Sequence, residues 1–319
     1  MNSVFDIPIP GVLVGHATDE EINTGTTACL FEQAATAAVH IAGGAPGTRE
    51  TELLSPEFSV GEVDAIVLSG GSAFGLDAAG GAQAWLKEQG RGIPLDPVRI
   101  PIVPSAILFD MRNDGNKEWG RYSPYRELGY EAISHATSRF ALGRQGAAFG
   151  AATATTPGGL GAAHTNVAGI NIMAIAAVNA AGSPLIGHTD HFWAAPFEKN
   201  DEFGGRGLPH PWPSDGDIPL SKTGQRVPGA NTTLAVVITD AALTPATGKR
   251  IAITSHDGFA RALYPVHTPA DGDLVFVTST GQKPLNDESL MDIGIHAANV
   301  VARAIARGVY EAMQEQIHA

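Results

Sequence analysis

Short runs of β-branched and small apolar residues recur along the chain, each closed by a glycine- or proline-rich turn, and stretches at helical spacing lie between them. Residues 11–15, 35–41, 64–69, 100–108, 170–178, 233–239 and 274–280 read as strands. Residues 76–89 and 130–137 read as helices, and 245–263 as a helix weakened by Gly248 and Gly258. In the last segment Met291, Ile293, Ala297, Val301, Ile305, Val309 and Met313 recur at helical spacing. Asn286 is placed to cap that helix, with Asp287 and Glu288 near its positive end. Alternation of this kind predicts an α/β or α+β chain in layers, a single domain over 1–319. With 44% hydrophobic and 17% charged residues, a sizeable core is easily buried.

Several classes of function are disfavoured at once. A formal net charge of -13 argues against a nucleic-acid partner, because phosphate backbones are held by clustered Lys and Arg. Cys29 is the single cysteine, so neither an intrachain disulfide nor a cysteine-based zinc site can form, and a reduced, cytoplasmic setting fits. The most apolar stretch, 167–181, is shorter than a membrane span and contains Asn171 and Asn179, so no membrane partner is expected. Residues 1–10 lack the pattern of a secretory leader. The run GGSAFG at 70–75 lacks the lysine of a phosphate-binding loop. It also carries Phe74 where a serine nucleophile elbow needs glycine, so Gly70, Gly71 and Ser72 read as a tight strand-to-helix turn lining a cleft. The HTDH run at 188–191 fits no standard metal-ligand spacing; a loop bordering a substrate entrance is expected, with no metal and no cofactor.

Residues 196–229 differ in kind, rich in Pro, Gly, Asp and Lys and without periodicity, and are expected to form an exposed, mobile loop. Order returns at Thr232, where TTLAVVIT begins a strand. A threonine hydroxyl is a poor nucleophile without a base beside it, and cutting the preceding peptide bond supplies one, the residue's own α-amine. That amine has a pKa of about 8, so it can accept a proton near neutrality. Such a device needs an exposed chain before the cut, a hydroxyl at it and a rigid strand after it. All three stand around Asn231 and Thr232. The same residues could simply open a strand after a loop, and Asn-Thr-Thr is also a glycosylation acceptor pattern.

Several blocks, in order, resemble the DmpA/NylC peptidase family of self-processing aminopeptidases and nylon-oligomer hydrolases. They are GVLVGHA at 11–17, GGAPGTRE at 43–50, LSGGSAFGLD at 68–77, AVN at 177–179, GANTT at 229–233, HDGFAR at 256–261 and PVHTPADGD at 265–273. The resemblance implies a layered αββα fold, related to that of the ornithine acetyltransferases. It implies autocatalytic cleavage between Asn231 and Thr232 into fragments 1–231 and 232–319, no metal or cofactor, and ring-like tetramers of the paired fragments. Small peptides, amino-acid amides or short oligoamides are the implied substrates.

By the same resemblance Thr232 is the nucleophile, Asp271 and Asp273 orient it and its amine, and Asn179 donates to the oxyanion. Side chains of an extended segment alternate, which would put Asp271 and Asp273 on one face with Gly272 allowing a tight backbone. Two departures stand out. Relatives carry a lysine in the segment that here reads GAAFGAATAT at 146–155, so the position falls near Thr155, and Phe109 stands where some relatives place a tyrosine hydroxyl. Competing readings are an acyltransferase of the ornithine-acetyltransferase type, and a non-catalytic small-molecule-binding relative that keeps the fold.

Overall fold

The computed structural model describes residues 3–222, 231–285 and 287–318. Its strands are β1 (Val4–Asp6), β2 (Val12–Asp19), β3 (Thr24–Ile41), β4 (Thr48–Arg49), β5 (Glu62–Ser69), β6 (Ile93–Leu95), β7 (Val98–Ile100), β8 (Ser105–Ile107), β9 (Arg139–Ala141), β10 (Gly159–Val167), β11 (Ile170–Asn179), β12 (Thr232–Ala241) and β13 (Leu274–Lys283). The helices are α1 (Ala78–Glu88), α2 (Tyr125–Ser134), α3 (Pro245–Ser255), α4 (Asp257–Ala262) and α5 (Asp287–His318).

Among the described residues nine strands join one sheet in the order β10-β11-β12-β13-β3-β5-β8-β4, with β2 also on β3. The long β3 is shared: residues 24–31 carry β2, residues 36–41 carry β13, and β5 runs along 26–36 with a register shift between Leu30 and Ala35. The sheet therefore has two halves, and their inner faces share one core. Val12, Val14, Phe31, Ile66 and Leu68 of one half pack with Met173, Ile175, Leu234, Val236 and Phe276 of the other. Period-two alternation turns the remaining side chains outward. Ala65 and Val67 meet α1 and α2, whereas Ala235, Val237 and Val275 meet α3, α4 and α5. Helix, sheet, sheet, helix is the resulting order of layers, as the αββα expectation has it.

Local differences have local causes. The expected helix at 130–137 is α2, beginning at Tyr125 directly after Pro124. The expected helix over 245–263 is broken at His256 into α3 and α4; α3 opens with a reciprocal Thr244–Thr247 capping box. Strand β10 was not anticipated, since GLGAAHTNV has few β-branched residues; it is built where α5 lies directly on its backbone, and a Cβ on Gly308 of α5 would come 2.6 Å from Gly161 N. The cap expected of Asn286 lies outside the described residues. Residues 198–222 contain no strand or helix, yet Phe203 is buried beneath α5, and Glu202 forms an enclosed ion pair with Arg303 of that helix. No helix among the described residues is long and apolar enough to cross a membrane.

Candidate active site

Strand β12 is flanked by β11 and β13, and every one of its residues is buried. Alternation places Thr232 on the same face as Leu234 and Val236, so its hydroxyl points between the sheet halves where the strand begins. Thr232 stands opposite Asn179 in the β11–β12 register, and Asn231 forms a parallel bridge with Asp271. The Thr232 hydroxyl donates to Asn231 O at 2.5 Å. Gly272 N–H donates to the same carbonyl oxygen at 2.9 Å and also approaches Thr232 Oγ1 at 3.2 Å. A hydroxyl is thus packed against the carbonyl that precedes it, with a backbone donor from another segment on that carbonyl.

The two aspartates are both brought to this point, but their carboxylates serve different partners. Asp271 Oδ2 accepts from Thr268 N at 2.8 Å and Thr268 Oγ1 at 2.6 Å, and its Oδ1 accepts from Ala181 N at 3.3 Å. Asp273 Oδ1 accepts from Thr233 N at 2.7 Å, and its Oδ2 meets His267 N at 3.1 Å and His267 Nδ1 at 2.8 Å. Burial raises the Asp271 pKa, and the neighbouring Asp273 charge adds to that. The glycines at 43–44 cradle the segment from behind: Ala42 N and Gly43 N donate to Asp273 O at 3.0 and 3.1 Å, and Ala45 N to Asp271 O at 2.8 Å.

Sequence reasoning missed the histidines behind Asp273. His267 Nε2 lies 3.2 Å from His256 Nδ1, and His256 Nε2 lies 3.1 Å from His40 O. Burial holds His256 neutral, with its pKa down at about 4. His256 Nε2 can only donate to a carbonyl, so with His256 neutral its Nδ1 accepts from His267 Nε2.

Asn179 is held on both ends of its amide. Its Nδ2 donates to Phe109 O at 2.9 Å, and its Oδ1 accepts from Ala152 N at 3.1 Å and Lys222 Nζ at 2.9 Å. Lys222 was not singled out from the sequence, because it lies within the aperiodic stretch before the seam. Its backbone N–H is tied to Ala181 O at 3.0 Å. Burial pulls its pKa down to about 7, against the opposing pull of Asp271 and Asp110. A cavity of about 280 Å³ opens here, lined by Phe109, Asp110, Arg112, Asn179, Lys222 and Asn231 among others. A larger cavity, about 640 Å³, lies beside Glu62, Asp64 and Pro245 and contains none of these groups.

Of the expected cleft residues, only Phe109 lines the smaller cavity. Gly70, Gly71 and Ser72 lie behind Asp110: Gly71 N donates to Asp110 Oδ1 at 2.7 Å, Thr24 Oγ1 to Asp110 Oδ2 at 2.6 Å, and Ser72 N to Leu108 O at 3.0 Å. Ser72 itself has φ +53°, as a tight turn requires. Thr155, where relatives carry lysine, pairs with Ser183 Oγ at 2.8 Å. His188 and His191 face different partners, Asp215 and Gly207 O, and no cluster able to hold a metal occurs among the described residues.

Known proteins bear on this arrangement. A Mycobacterium tuberculosis protein described as an uncharacterized aminopeptidase is 38% identical over 338 residues, covering 98% of this chain and 94% of that protein. A 6-aminohexanoate-oligomer endohydrolase of a Kocuria species is 28% identical over 296 residues, covering 87% of this chain and 75% of its own. In structure, the L-aminopeptidase D-Ala-esterase/amidase of Ochrobactrum anthropi, described as a variant of the Ntn-hydrolase fold, superposes with a TM-score of 0.67 at 18% identity, over 97% of this chain and 88% of the other. The model of Peptidase family S58 matches residues 2–318, and the chain belongs to that family.

Proposed function

We propose that this chain is a self-processing amide hydrolase in which cleavage of the Asn231–Thr232 bond makes Thr232 the N-terminal nucleophile. Thr232 Oγ1 donates to Asn231 O at 2.5 Å while Gly272 N–H holds the same oxygen at 2.9 Å, and this pairing carries the proposal. The hydroxyl oxygen attacks the Asn231 carbonyl carbon, and charge developing on its oxygen meets the Gly272 donor. The C–N bond breaks, the hydroxyl proton passes to the Thr232 nitrogen, and an ester links Asn231 to Thr232 Oγ1. Water opens that ester, leaving an Asn231 carboxylate and a free threonine hydroxyl and amine.

In turnover the Thr232 amine takes the proton from Oγ1 as it attacks a substrate amide, then returns it to the departing amine. Water hydrolyses the acyl-enzyme. Asn179 is the side-chain oxyanion donor, since its Oδ1 is occupied by two donors and its Nδ2 has a second proton beyond the one on Phe109 O. Asp273 fixes Thr233 N beside the nucleophile, and Asp271 fixes the 268–272 turn that carries the Gly272 N–H. The cavity of about 280 Å³ fits small peptides, amino-acid amides or short oligoamides, in line with the names of the relatives. Exposed Leu95, Val98 and Ile100 on the β6–β7 hairpin support self-association; the tetramer of paired fragments is what the family resemblance implies.

Intact-mass spectrometry of the purified wild type beside Thr232→Ala tests this directly. Fragments 1–231 and 232–319 are expected from the wild type and a single uncut chain from the variant. An uncut wild type after prolonged incubation overturns the Thr232 assignment.

A further inference from the structure

An enclosed ammonium ordinarily rests on a carboxylate, because taking the charge from water costs several kcal/mol that only a close partner offsets. Lys222 does otherwise. Its side chain is half-buried with the ammonium end enclosed, and its contacts among the described residues are Asn179 Oδ1 at 2.9 Å and Asn179 O at 3.4 Å. The charged groups facing it are Asp110 and Arg112 across the cavity and Asp271 from the turn before β13. The main chain of Lys222 is hydrogen-bonded to Ala181, two residues beyond Asn179, so the ammonium and the amide it touches are held by one short segment.

The contact has a chemical consequence. An amide oxygen that accepts from both Ala152 N–H and an ammonium cannot turn toward the cavity, so the Asn179 NH₂ end is the one left to meet a substrate. The ammonium also places a positive charge beside the point where oxyanion charge would grow. We propose that Lys222 is a positioning residue of the hydrolytic site, fixing the donor face of Asn179 and supplying the cationic field of the cleft; this rests on Thr232 acting as the nucleophile. The ammonium serves turnover and not self-cleavage, because the Asn231 carbonyl is held by Gly272 N–H. Lys222 stays on the 1–231 fragment after the cut.

The pH dependence follows from burial. With a pKa of about 7, the ammonium is charged below neutrality and loses its charge as pH rises. The Thr232 amine must be neutral to accept a proton, so its limb rises with pH while the Lys222 limb falls.

The test uses the full-length wild type, Lys222→Met and Lys222→Arg, each followed by intact mass and by kcat/KM against pH on an amino-acid p-nitroanilide that the wild type cleaves. Lys222→Met is expected to be cut as the wild type is, to lose about 100-fold in kcat/KM at pH 6.5, the scale of one lost oxyanion contact, and to lack the wild type's falling limb above neutrality. Lys222→Arg is expected to keep more activity than Lys222→Met and hold it to higher pH, since a guanidinium does not deprotonate there. A cut Lys222→Met with the wild-type rate and profile overturns this proposal alone. So does a failure of Lys222→Met to be cut, which would move Lys222 into processing, and so does a falling limb unchanged in both variants, which would make its role structural. An uncut wild type overturns the Thr232 assignment and this proposal together.

Discussion

A Cβ built on Gly272 would stand 2.5 Å from Thr232 Oγ1, closer than real contacts allow. Gly272→Ala is therefore expected to push the hydroxyl off the Asn231 carbonyl or draw the 272 N–H away from it. Misplacement of about 1 Å costs on the order of 100-fold in rate. A time course of intact mass after expression should show full-length chain persisting in the variant when the wild type is already cut; equal rates would remove Gly272 from the machinery. The Asp-Gly-Asp run was legible as a site, but not which atom of it meets the nucleophile. Alternation suggested two carboxylates on one face, whereas the bridge between Asn231 and Asp271 presents the intervening N–H and leaves Asp271 and Asp273 to hold Thr268, Ala181, Thr233 and His267.

Arg303 shows how an element far from the chemistry is tied to it. The guanidinium projects from α5, ion-pairs with Glu202 in the irregular stretch before the seam, and donates to His164 O of β10 at 2.9 Å. Both side chains are nearly enclosed, so Arg303→Met would leave the Glu202 carboxylate buried without its partner. A loss of about 3–5 kcal/mol in unfolding free energy is expected, read from urea denaturation. The double variant Arg303→Met with Glu202→Leu should recover most of it, and a single variant as stable as the wild type would contradict the pairing as a source of stability. At this scale the strands were readable as 170–178 and 233–239, the latter from β-branched content, against the observed 170–179 and 232–241, and α5 from its apolar spacing. β10 was not, because its glycines and alanines are chosen for the close approach of α5 rather than for strand propensity.

Over the whole molecule, the proposed cut would divide one sheet between two fragments. β12 and β13 of fragment 232–319 lie between β11 and β3 of fragment 1–231, and α5 covers β10 and β11. Separation would strip strand pairing from both edges and expose the core shared by Val237, Ile172 and Ile305. The fragments are thus expected to co-elute in native size-exclusion chromatography and to part only in denaturant; a freely dissociating 232–319 fragment would contradict this topology. The sequence by itself determined the alternation of elements, the layered class, the return of order at Thr232 and, through several ordered blocks, the family, because propensity, periodicity and turn chemistry act over a few residues. Only the tertiary structure decided that Gly272 N–H meets Thr232 and that Lys222 rests on Asn179. These contacts span 40 and 43 residues, and they depend on strand register and on the fold bringing an aperiodic segment back to a strand end, which no local pattern encodes.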